Sequence, residues 1–178
     1  MTNTAPSQER RDLLEALGAH RGFLRQTAAG LTDEQARSRS TVSELSVGGI
    51  IKHVAATEQG WAAFMVDGGG AGADPGIDWS NPDPAVFEAY RAGFRLLDTE
   101  TLAGVLADYE RVGAATDRLV LELPDLDRTF PLPPAPWFAP GAVRSVRRAV
   151  AHIIAETAQH AGHADIVREA IDGAKTMG

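Results

Sequence analysis

The chain alternates between stretches whose apolar residues recur every three or four positions and stretches dense in glycine and proline, with little between. From Gln8 to Thr27 the apolar set Leu13, Leu14, Leu17, Phe23 and Leu24 predicts one amphipathic helix, stopped by Gly30. Thr32-Asp33-Glu34-Gln35 has capping-box form and predicts a short helical turn. Ser46 is placed to cap a second long helix, Val47 to about Val66, which Gly68-Gly69-Gly70 ends. On it Ile50, His53, Thr57, Trp61 and Phe64 share a face, so His53 points inward. Pro84 to about Leu97 reads as a short helix with Val86, Phe87, Tyr90 and Phe94 on its apolar side. Thr99 or Thr101 opens a clearer one through Leu123, and Ser145 caps the last, which runs to about Ile171 with Gly173 beyond its end.

Between these helices, Gly68 to Asp83 reads as a loop long enough to be a lid or an insertion. Six of the ten prolines fall between Pro124 and Pro140, so no regular structure is expected there, although Trp137 and Phe138 need burial. Nothing alternates over enough residues to predict a sheet. The expectation is an all-α fold: a helical bundle of four long helices plus one or two short ones, forming one domain over residues 1–178.

Composition narrows the function classes. A formal charge of −7 argues against a nucleic-acid groove or an anionic membrane surface as the main partner, and favours a small-molecule substrate. No apolar run reaches membrane-span length, and Met1 to Arg11 lacks the apolar centre of a signal peptide, so a cytoplasmic protein is expected. With no cysteine, a metal would have to be held by His, Asp or Glu.

Those residues concentrate in HIIAETAQHAGHAD, residues 152–165. At about 100° per residue, His152, Glu156, His160 and His163 fall in one helical sector of roughly 80°. Glu156 and His160, spaced i, i+4, can give two ligands to one divalent metal, with His53 as the inward histidine of another helix. A single inward histidine is ordinarily a hydrogen-bonded core residue; a carboxylate beside it, costly to bury unpaired, strengthens the metal reading. His152 and Glu156 would serve by the same spacing, and the pattern does not choose between the registers. His163 can be a ligand, a supporting donor or a proton shuttle. His20, beside Arg21, reads as solvated, and Asp165 as structural.

The blocks LSVGGIIKHVAATEQGW around His53 and HIIAETAQHAGHADIVREAIDG near the end resemble the DinB-like (YfiT-like) metal-dependent helical-bundle superfamily, in the branch that carries a glutamate between its histidines. The resemblance implies a four-helix bundle with a long crossover, a divalent metal at one end, and a homodimer. It maps the metal ligands onto His53, Glu156 and His160. Many relatives have histidine in place of Glu156, which changes the site's charge; zinc is expected first, with nickel, manganese or iron compatible.

What the resemblance implies for activity is a metal-dependent transferase using a low-molecular-weight thiol, mycothiol by expectation, to modify an electrophilic small molecule. His163 would then position the thiol or move a proton. Arg144, Arg147 and Arg148 are candidates to contact the polar cosubstrate, against the ordinary reading of a solvated basic cluster. The same ligands would serve a metal-dependent hydrolase; two histidines and a carboxylate also suit non-haem iron. A stress-associated bundle that binds a metal or small ligand without turnover is the non-enzymatic alternative.

Overall fold

The computed structural model describes residues 5–70, 83–133, 135 and 137–176. Its helices are α1 (Gln8–Gln26), α2 (Asp33–Arg37), α3 (Val47–Asp67), α4 (Pro84–Ala92), α5 (Leu102–Glu122) and α6 (Val146–Asp172), with two short strands, β1 (Thr129–Pro131) and β2 (Val143–Ser145), between α5 and α6. The long helices start where a side-chain oxygen meets an otherwise unpaired N–H: Ser7, Ser46, Thr101 and Ser145 each accept from the backbone three residues on. The capping box at Thr32 forms with Gln35. Gly68 and Gly173 end α3 and α6 with φ of 83° and 76°, a left-handed conformation that costs glycine nothing.

Each long helix packs on two others. α3 lies against α5 and α6, and α1 against α5 and α6. α1 and α3 are therefore diagonal, joined through α2, and so are α5 and α6, joined through the strands. The bundle expected from the periodicity is present. Two apolar clusters fill it, one around Leu24, Ile50, Val54 and Ala164, the other around Leu17, Trp61, Phe64 and Ile153. Among the described residues no helix is long and apolar enough to cross a membrane.

The proline-rich stretch departs from expectation. β1 and β2 pair antiparallel, Phe130 opposite Arg144 and Pro131 opposite Val143. Three-residue strands are too short to leave an alternating pattern, and a two-stranded ribbon is all edge, where proline is tolerated. Burial of both rings at 137–138 is also overturned: Phe138 packs on the second cluster while Trp137 remains 55% exposed. α4 stops at Ala92, short of the expected Leu97, and buries none of its side chains. The loop expected over Gly68–Asp83 lies largely outside the described residues.

What α4 leads into matters more than α4 itself. Residues 94–96 run across the first turn of α3, where Gly48 and Gly49 make room. A Cβ on Gly48 would stand 2.8 Å from Leu96 Cδ2, and one on Gly49 would fall on the Phe94 carbonyl. Lys52 holds the same segment by bonding to the Ala92 and Arg95 carbonyls and to Glu100. Phe94 is thereby laid over His53.

Candidate metal centre

The seam between α3 and α6 brings together the three residues that the sequence pattern singled out. His53 Nε2 stands 3.8 Å from Glu156 Oε1, and His160 Nε2 stands 3.5 Å from the same oxygen. One potential ligand atom from each residue lies within 4.8 Å of the other two. These gaps exceed hydrogen-bond length. Ligand atoms about 2.1 Å from one tetrahedral ion stand about 3.4 Å apart, so a donor set of two imidazoles and a carboxylate at this spacing fits a divalent cation.

Each member is fixed from a different side. Glu156 and His160 occupy successive turns of α6. The His53 ring stacks on Phe94, centroids 4.3 Å apart and 22° from parallel, and meets the His160 ring edge-on at 4.9 Å. The side chains retain 20%, 26% and 15% of their exposure for His53, Glu156 and His160, enough for a small molecule to approach. The resemblance implies a metal at one end of the bundle. The triad instead sits near the middle of α6 and about two turns into α3.

The facing imidazoles, His160 more than His53, hold the Glu156 carboxyl far below the usual carboxylate range, while burial opposes them. A depressed folded-state value means that ionised Glu156 stabilises the metal-free fold above the unfolded value of about 4.3. That contribution declines as pH falls below the unfolded value and is gone once pH has passed below the depressed one. Metal-free Glu156→Gln is therefore expected to be less stable than the parent at pH 7, with the deficit shrinking once the pH drops below about 4. Urea denaturation at the two pH values checks this; a deficit independent of pH would contradict it.

The remaining histidines separate by surroundings. His152 is half-buried with its ring edge-on to Trp61 at 4.8 Å, outside the triad, and burial first, then Arg144 and Arg148, favour its neutral form, with Glu156 pulling the other way. The spacing left the register open between His152 and His160; the three-residue group includes His160. His163 is exposed, its ring 5.5 Å from that of His160. His20 is half-buried, edge-on to Phe23 at 6.1 Å. Asp165 accepts from the backbone N–H of Thr176.

The three arginines near the start of α6 are not equivalent. Arg147 is bound by Glu9 and Asp127, which ties the first turn of α1 to the segment before β1. Arg148 is exposed. Arg144 lies over Trp61, 4.6 Å from the ring centroid, with its Nη1 buried and without a hydrogen-bond partner.

Two features escaped sequence reasoning. Phe94 as the seat of His53 depends on a chain crossing that no local pattern reports. Arg21 and Glu58 form a buried pair, Nη2 to Oε1 2.5 Å and Nε to Oε2 3.2 Å, with Arg21 also bonding Asp117 at 2.8 Å. A signal for it existed: Arg21 falls between Leu17 and Leu24 on the buried stripe of α1, an expensive place for a charge without a partner.

No match is found among the curated proteins. The family model for mycothiol-S-transferase matches residues 12–173. That span runs from within α1 to the glycine after α6 and contains His53, Glu156 and His160, and the chain belongs to the mycothiol-S-transferase family.

Proposed function

We propose that His53, Glu156 and His160 hold a divalent cation and that the protein joins the sulfur of mycothiol to an electrophilic small molecule beside it. Family membership implies a thiol S-transferase with mycothiol as cosubstrate; the observation that carries the site assignment is the convergence of two imidazoles and one carboxylate within 4.8 Å. Zinc suits this donor set. When bound, the cation supplies a positive charge that favours the thiolate, the nucleophilic form of the cosubstrate.

The rest of the chemistry falls to the chain. Sulfur forms a bond to the electrophilic carbon, and either a leaving group departs or the carbon beside it takes up a proton. The thiol proton must first go somewhere, and in this reading it goes to His163, whose exposed ring is 5.5 Å from that of His160. Phe94, stacked on the His53 imidazole, keeps that ring from turning. The absence of cysteine leaves the cosubstrate as the sole thiol.

The test is mycothiol consumption with a generic electrophile, on metal-loaded and on metal-stripped protein. Turnover that needs both metal and thiol supports the reading, whereas turnover without thiol would replace it by hydrolysis. His163→Ala is expected to lower kcat by about 10²-fold, the lower end for a general acid–base group, with unchanged metal content. An equal loss of both would make His163 a ligand instead.

A further inference from the structure

Arg144, in β2, carries a guanidinium nitrogen, Nη1, that has no hydrogen-bond partner. From β2 it lies over the Trp61 ring at 4.6 Å and beside the Phe138 ring at 5.4 Å. Its Nη1 is closed to solvent and makes no hydrogen bond, and no ion pair is found for Arg144 among the described residues. The other inward arginines are satisfied: Arg10 by the Val120 and Leu123 carbonyls, Arg21 by Glu58 and Asp117, Arg37 by the Leu97 and Glu100 carbonyls, Arg168 by Asp172 and the Thr27 and Ala29 carbonyls. A ring face under a cation compensates part of its lost hydration but supplies no directional acceptor. Burial and the nearby Arg148 also work against the Arg144 charge.

The position gives this unmet donor a use. Trp61 touches His152 at 4.8 Å between ring centroids, and His152 precedes Glu156 by one turn on the same face of α6. From Arg144 the contacts thus run through Trp61 to His152, which stands one turn from Glu156 on α6. A planar fork of N–H donors matches a carboxylate in two places at once. Trp61, 2% exposed, backs the guanidinium, and the half-buried Phe138 ring beside it suits a flat or unsaturated carbon skeleton.

We infer that Arg144 is a specificity-determining residue that binds a carboxylate of the electrophilic substrate and so points the electrophilic carbon toward the triad. The inference rests on the transferase reading and adds to it the class of acceptor: a small unsaturated or aromatic carboxylic acid. Arg147, already bound by Glu9 and Asp127, and Arg148, exposed, do not share this role.

Calorimetry on the metal-loaded protein, with benzoate and the uncharged benzamide as probes and no thiol present, tests the subsite apart from catalysis. Benzoate is expected to bind at least tenfold more tightly than benzamide, Arg144→Met to abolish the difference, Arg144→Lys to retain part of it, and Arg148→Met to leave it intact. Circular dichroism establishes that the variants are folded, and Arg144→Lys keeps the test decisive if Arg144→Met is not. Equal binding of the two probes overturns the inference, as does benzoate affinity that survives Arg144→Met, the result for a carboxylate held by the metal alone. In turnover, benzoate should compete with the electrophile; competition with mycothiol only would move the fork to the cosubstrate and equally overturn it. Failure of the transferase reading would appear separately, as absent thiol consumption with benzoate binding unchanged.

Discussion

His160→Ala and His53→Ala are each expected to empty the cation site and, with it, to abolish mycothiol consumption, while the bundle remains folded. Loss of a residue that merely supports a ligand typically costs about 10–100-fold in metal affinity, and removal of one of three ligands should cost more. The bundle should survive because the triad keeps part of its exposure and the apolar clusters pack without it. Glu156→Gln keeps the shape of the side chain but removes the charge that offsets the cation, so it should weaken binding without abolishing it. His152→Ala, whose ring contacts Trp61, should keep its metal. Elemental analysis of each variant, purified without added metal or chelator, reads the result. Full metal content in His53→Ala, Glu156→Gln and His160→Ala together would refute the ligand set, and an empty site in His152→Ala alone would shift the register by one turn.

Most of the long helices were legible because three local signals agreed: apolar period, a capping serine or threonine, and a glycine stop. α3 illustrates this, with Ser46 and Gly68 bounding an apolar run that begins and ends where expected. The triad was partly legible for the same reason, since helical spacing fixes which side chains share a face; what the spacing left open was whether His152 or His160 joins Glu156. That choice depends on how far α3 is displaced along α6, which is set by packing across the whole seam. The strands were illegible because three residues carry no period. Seating His53 on Phe94 requires the 94–96 crossing over Gly48 and Gly49, and the glycine pair taken alone says only that something comes close.

The second large effect is on stability, and it arises where α1, α3 and α5 meet. Arg21 of α1 reaches Glu58 of α3 across the bundle diagonal, with Asp117 of α5 on the same guanidinium. The Glu58 side chain is entirely buried and that of Arg21 nearly so. Burial disfavours the Arg21 charge, but the two carboxylates outweigh it and raise its affinity for the proton. Arg21→Met should leave the Glu58 carboxylate buried without its cation, a change that typically costs about 3–5 kcal/mol. In a domain of this size that corresponds to a fall in Tm of roughly 6–20 °C. Removing both charges, in Arg21→Met with Glu58→Leu, should recover much of the loss, because desolvation of the pair offsets most of its attraction. Arg147→Met breaks comparably short pairs to Glu9 and Asp127, yet these are well exposed, and about 1 kcal/mol or less is expected. Urea denaturation of the four proteins decides between them. If Arg21→Met is no worse than Arg147→Met, the diagonal pair does not hold the bundle together.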